Sequence, residues 1–116
     1  MKKEVKRGEI YWVNWNPGRG NEQIGKRPAL IIQNDVGNQF SPNTIIASLT
    51  TAVVKTYPFT VRCTASESGL AKDSIIDLSS LMTVTQARLE SRCGRLSTLK
   101  MKEVDLALKE SLGIPE

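Results

Sequence analysis

The apolar residues of this chain change their period only once, after Leu96, and that change constrains the fold more than any other feature. Up to that point, short runs of β-branched, aromatic and aliphatic residues are each stopped by Gly, Pro, Asn or Asp, as strands joined by turns would be. Residues 8–15 read as a first strand, ended by Asn16-Pro17-Gly18. Residues 29–33 are a continuous apolar run, expected of a strand buried on both faces. Residues 44–50, 59–64, 73–78 and 89–96 supply four more strands. In the fourth, Phe59, Val61 and Cys63 alternate with Thr60, Arg62 and Thr64, so Phe59 is expected to face the core. Residues 34–38 and 41–43 read as turns. Beyond Leu96, Met101, Val104, Leu108 and Leu112 recur at spacings of three and four, one stripe of an amphipathic helix. Ser97 or Thr98 suits its N-cap, and Gly113 before Pro115 suits its end. The expectation is a single domain over residues 1–116, mainly β with a C-terminal α-helix, curved into a small barrel that the helix partly covers.

Charge narrows the range of partners. Residues 1–27 hold seven Lys/Arg against three Glu, while residues 97–116 hold three against four, so the positive excess lies in the first strand and the loop after it. A cationic end attracts polyanions such as nucleic acid, or merely aids solubility. The longest apolar stretch, residues 28–32, is too short to span a bilayer, and the basic N-terminus lacks the apolar core of a secretory signal. No membrane and a cytoplasmic address are therefore expected. Cys63 and Cys93 stand in no metal-binding spacing and read as reduced thiols.

The chain contains no histidine, which removes a His-His pair for RNA cleavage, a Ser-His-Asp triad and a His-based zinc site. Asp73 and Asp77 are the nearest thing to a carboxylate pair for metal-assisted cleavage, but four strand residues separate them by roughly 13 Å. They read better as exposed or turn carboxylates, so neither a metal nor another cofactor is expected. RNA allows a different route, because its own 2′-hydroxyl attacks the adjacent phosphorus. The protein then has to align that attack and stabilise the added charge on phosphate. Arg27 suits the second task, since its planar fork binds two phosphate oxygens and stays charged. Pro28 holds it in extended backbone where the polar loop meets the second strand. The competing reading is an exposed arginine in a surface ion pair. Glu22 is the one carboxylate of the loop and a possible base. Asn21, Gln23 and the backbone of Gly25 suit RNA contact or loop shaping, and Tyr57-Pro58 offers a stacking face to a base. Gly25 equally suits a positive-φ turn. Trp12 and Trp15 fall on opposite faces of the first strand, so at least one belongs to a core or an interface.

Three segments together resemble the MazF/PemK family of toxin ribonucleases: Arg7-Gly8-Glu9-Ile10-Tyr11-Trp12-Val13, the Asn21-Glu22-Gln23-Ile24-Gly25-Lys26-Arg27-Pro28 run continuing to Asp35, and residues 44–50. Weaker similarity continues through Asp73-Ser74-Ile75-Ile76, Arg88-Leu89 and the final helix. The resemblance implies an SH3-like barrel, a homodimer, sequence-dependent cleavage of single-stranded messenger RNA and an acidic antitoxin (MazE-like) as partner. It also places Arg27 and Thr50 at the family's catalytic positions. Thr50 by itself would pass for an ordinary strand-end β former. The chain departs from the family at Met82-Thr83-Val84-Thr85, where an Arg-Thr-Ile-Asp-like run is common, losing one charge of each sign on that side. Two other functions fit parts of the pattern. CcdB-like gyrase poisons share the barrel, and a plain nucleic-acid-binding module would use Arg27 for phosphate contact alone.

Overall fold

The computed structural model describes residues 4–14, 25–51 and 55–115. Six strands form one antiparallel sheet: β1 (Glu9–Asn14), β2 (Lys26–Ile31), β3 (Asn43–Thr50), β4 (Thr60–Cys63), β5 (Ser74–Thr85) and β6 (Leu89–Arg95), in the order β4-β5-β3-β2-β1-β6. Three helices accompany them: α1 (Asp35–Phe40), α2 (Ala65–Ser68) and α3 (Thr98–Leu112). The mainly β, small-barrel expectation holds, although among the described residues no ladder joins the edge strands β4 and β6. Helix α2 fills that gap. Its C-terminal turn packs backbone to backbone on β6, so that a Cβ at Gly69 would collide with the Cys93 carbonyl.

The sheet is curved enough to have two buried sides. Ile10, Leu30, Ala47, Leu49, Val61, Ile76 and Leu78 pack in one cluster with Val104 and Ala107 of α3, while Tyr11, Val13, Ala29, Ile31, Ile46, Val84 and Leu89 form another. Successive residues of β2 go to opposite clusters, which explains why its sequence is apolar without alternation. The turn into two layers occurs on β5. Ala47 pairs with Leu81 but Ser48 pairs with Asp77, so residues 78–80 oppose nothing on β3. A bulge of this kind bends the strand and lets one long strand serve both halves of the sheet. Asp77 shapes the corner by accepting hydrogen bonds on Oδ1 from the Ser79 amide (3.0 Å) and hydroxyl (2.6 Å).

Several sequence-based boundaries shift. The supposed turn at residues 34–38 begins α1, whose N-cap Asn34 accepts from the Gly37 amide. The side chain of Asn38 is what makes this helix worthwhile: it is buried, accepts from the Thr44 hydroxyl (2.7 Å) and Gln33 Nε2 (3.0 Å), and donates to the Gln33 carbonyl (3.0 Å). Apolar periodicity gives no warning of a helix built around a buried amide. Strand β5 runs on through Met82-Thr83-Val84-Thr85, which pairs with the opening of β3. Helix α2 has a complete capping box between Thr64 and Glu67, a signal present in the sequence but only four residues from its next stop. In α3, Ser97 accepts from the Lys100 amide and Gly113 closes the helix at φ 70°, as expected. Leu112, however, is exposed, and Ala107 takes the buried place on the stripe.

The β1–β6 seam carries a buried acid. Glu9 is 3% exposed and accepts from the Lys6 amide (2.8 Å), the Tyr11 hydroxyl (3.2 Å) and Arg92 Nη1 (2.8 Å). Burial first, and then the neighbouring carboxylate of Glu9, push the Tyr11 phenol up from 10 to about 12. A raised folded-state pKa adds stability that is complete below pH 10 and is lost as pH rises toward about 12. Alkaline unfolding followed by circular dichroism should therefore fall within that window, and Tyr11→Phe should flatten it. An unchanged alkaline limb in Tyr11→Phe would show that Tyr11 ionises without cost. Cys63 and Cys93 are both free; burial pushes the Cys63 thiol up to about 11 and also raises that of Cys93, so both are poor nucleophiles. Among the described residues no helix is long and apolar enough to cross a membrane.

Candidate functional site

The starts and ends of central strands meet at one end of the sheet. Ala29 of β2 pairs with Ser48 of β3, and carrying that register on by two residues brings Arg27 opposite Thr50. The β1–β2 ladder extends to Lys26, whereas the β2–β3 ladder starts only at Ala29. Pro28 is the reason for the difference, because it has no N–H to give to β3. The two strands are thus left unzipped at their cleft-side end, with Pro28 forming part of the wall.

The opening is a cleft of about 490 Å³ lined by Trp12, Arg27, Pro28, Leu49, Thr50, Thr51, Leu70, Ala71 and Lys72. Residues 23 apart in sequence, Arg27 and Thr50, therefore share one concave surface. Among the described residues its lining holds two cations and no carboxylate, and neither Arg27 nor Lys72 forms an ion pair. Lys26, next to Arg27, is engaged by Glu90 at 2.6 Å, so Arg27 keeps its charge for the cleft. Among the described residues, the surface-ion-pair reading of Arg27 finds no partner. An apolar wall of Trp12, Leu49 and Leu70 stands beside two cations that form no ion pair among the described residues, which together favour an anion placed there.

A second hollow of about 150 Å³ adjoins the first, and Thr50 belongs to both. Lys55, Tyr57, Phe59, Thr60, Ile75 and Asp77 complete it. Pro58 suits the second position of a tight turn, across which the Thr60 amide donates to the Tyr57 carbonyl at 3.0 Å. The turn stacks Tyr57 on Phe59 with ring centroids 5.0 Å apart and planes 5° from parallel. Phe59 consequently lines this hollow and is only half-buried, contrary to the core position expected from alternation. The aromatic pair replaces the core contact, because the turn lifts both rings to the same side.

Of the residues singled out in the sequence, Arg27, Thr50 and Trp12 gather at the cleft and Tyr57 beside it. Pro58 is exposed in the connecting turn. Gly25 has φ 122°, a conformation L side chains rarely adopt, and so serves the turn before β2. Asn21, Glu22, Gln23 and Trp15 lie outside the described residues. Asp73 is a turn carboxylate that accepts from the Ala65 amide at 2.8 Å, whereas Asp77 lies within β5 and holds its corner. Leu70, Ala71, Lys72 and Lys55 were not singled out from sequence. They reach the site through the α2–β5 connection and the β3–β4 connection, for which no local motif exists.

A family model of the PemK-like, MazF-like toxins of type II toxin–antitoxin systems matches residues 6–112. The chain belongs to that family. It is 40% identical over 111 residues to endoribonuclease EndoA of Bacillus subtilis, covering 95% of this chain and 96% of that protein. A mycobacterial endoribonuclease solved with its cognate antitoxin superposes with a TM-score of 0.81 at 23% identity, covering 97% of this chain and 98% of that one. MazE–MazF of Deinococcus radiodurans (Form-II) gives 0.80 at 24% identity, over 98% and 100%. The SH3-like, MazF-type fold expected from the resemblance is thereby established. In this MazF-type chain the departure at Met82-Thr83-Val84-Thr85 pairs with residues 43–46, at the opposite end of β3 from Thr50. Four to seven strand residues separate its β3 partners from Thr50, which puts the run roughly 13–23 Å from the cleft within the chain.

Proposed function

We propose that this chain is the toxin of a type II toxin–antitoxin pair and acts as a metal-independent endoribonuclease on single-stranded messenger RNA. The observation that carries the reading is the shared cleft of Arg27 and Thr50, cationic and free of carboxylates among its described lining. In the reaction the 2′-oxygen loses its proton and bonds to the adjacent phosphorus, the bond from phosphorus to the 5′-oxygen breaks, that oxygen takes a proton from solvent, and a 2′,3′-cyclic phosphate and a 5′-hydroxyl result. The guanidinium of Arg27 stabilises the charge that builds on the non-bridging oxygens, and the Thr50 hydroxyl orients the phosphate. Lys72 raises the local potential. Glu22 is a candidate to take the 2′-hydroxyl proton, with Asn21, Gln23 and Gly25 shaping the RNA-facing loop.

A cationic, partly apolar cleft also suits the acidic tail of an antitoxin, which would compete with RNA for it. A homodimer and a cytoplasmic location complete the proposal. The test is to incubate the purified protein with long single-stranded RNA in excess EDTA and to identify the new ends by mass spectrometry. Discrete cuts ending in 2′,3′-cyclic phosphate are expected. RNA left intact by folded protein would overturn the reading and make topoisomerase inhibition the next assay.

A further inference from the structure

We infer that Asp77 reads the amino group of a single cytosine base held in the hollow next to Thr50. The inference rests on RNA as the ligand of the adjoining cleft and goes on to name what the second hollow selects. Its volume of about 150 Å³ is well below that of an ordinary small-molecule site, so it holds a single base, for which a one-ring pyrimidine is the smaller occupant. The stacked Tyr57–Phe59 pair supplies an aromatic wall, and Tyr57 is 47% exposed and open to contact. Lys55, on the rim, suits the flanking phosphate.

Asp77 is placed and oriented for readout. It lies on β5 between Ser48 of β3 and Thr60 of β4, and Ile75, two residues before it on the same strand face, lines the hollow with it. The Ser79 amide and hydroxyl both donate to Oδ1, which fixes the carboxylate and occupies that oxygen. Among the described residues Oδ2 receives no hydrogen bond. An ionised carboxylate only accepts, so it repels phosphate and asks for a donor on a base. With one oxygen left it matches a lone amino group. Guanine presents two adjacent donors that call for both oxygens. Uracil presents an N–H between two carbonyl oxygens that a carboxylate repels. Cytosine offers its N4 amino group on a single ring, and adenine its N6 amino group on a larger one, so cytosine is the smaller base with the matching donor.

The test compares wild type with Asp77→Asn, whose amide retains an oxygen for Ser79 and turns an N–H toward the ligand. Binding is measured with oligo(C), oligo(A) and oligo(U) carrying 2′-O-methyl groups, which cannot be cleaved, and cut sites are mapped separately on long RNA. Wild type should bind oligo(C) about ten-fold tighter than oligo(U), the gain expected of one hydrogen bond to a charged group. Asp77→Asn should lose or reverse that ratio, and one cytosine position in the cut sites should relax toward uracil. Equal binding of oligo(C) and oligo(U) by wild type, tighter binding of oligo(A) than of oligo(C), or the same oligo(C)-to-oligo(U) ratio in Asp77→Asn, overturns the inference even if RNA is cleaved. Long RNA left intact together with a cytosine preference that Asp77→Asn abolishes would instead overturn the nuclease reading and leave this one standing.

Discussion

Arg27→Ala is expected to lower RNA cleavage by at least about a thousand-fold, while shifting unfolding stability by no more than about 0.5 kcal/mol. The two halves of this expectation have separate causes. Arg27 is exposed at the start of β2 and, among the described residues, forms no ion pair, so its loss leaves neither a core void nor an orphaned carboxylate. Its proposed work is confined to the transition state, where charge accumulates on phosphate oxygens and a two-pronged donor is worth more than a point charge. Arg27→Lys should accordingly recover only part of the activity. Thr50→Ala should cost about a hundred-fold, since a neutral hydroxyl contributes less than a guanidinium. Single-turnover cleavage rates and urea melts on the same preparations decide the matter. Undiminished cleavage by Arg27→Ala would remove this residue from the chemistry, and a large fall in stability would show it to be structural.

Gly94→Ala should destabilise the fold by about 3 kcal/mol and lower the melting temperature by about 10 °C or more. A Cβ at Gly94 would lie 2.5 Å from the Ser68 carbonyl oxygen and 2.9 Å from its carbon. Both are backbone atoms held by α2, so no flexible side chain can move aside, and α2 must lift off β6. Gly113 gives the control. It has φ 70°, yet nothing lies within 4 Å of a Cβ there. Gly113→Ala pays only the left-handed backbone penalty of about 1–2 kcal/mol. A smaller effect at Gly94 than at Gly113 would mean that α2 is loosely attached and does not bridge the sheet edges.

The two variants probe opposite ends of what could be read from the chain. Arg27-Pro28 was legible because two local facts coincide there: a permanently charged fork, and a proline that restricts the residue before it. The six strands and the final helix were legible for a similar reason, since burial repeats every second residue on a strand and every third or fourth on a helix. The same logic failed where burial was not apolar or not periodic. Helix α1 is organised by the buried Asn38 amide, and α2 is four residues long and held by caps. Phe59 obeys an aromatic stack at a turn and not the alternation of its strand.

By itself, then, the sequence determined which segments form strands and which the final helix, which side chains carry charge, and that histidine chemistry is absent. Those properties are local or compositional, and no partner is needed to state them. Only the tertiary structure decided that the two-layer bend falls at residues 78–80 of β5, that α2 fills the gap between β4 and β6, and that Lys72 joins Arg27 and Thr50 in one cleft. It also put Asp77 beside a stacked aromatic pair, where a spacing argument had left a turn carboxylate. The physical reason is that these features depend on contacts between segments tens of residues apart. Such contacts are fixed by the joint packing of two apolar clusters and by where one proline interrupts a ladder, and no single stretch of the chain contains that information.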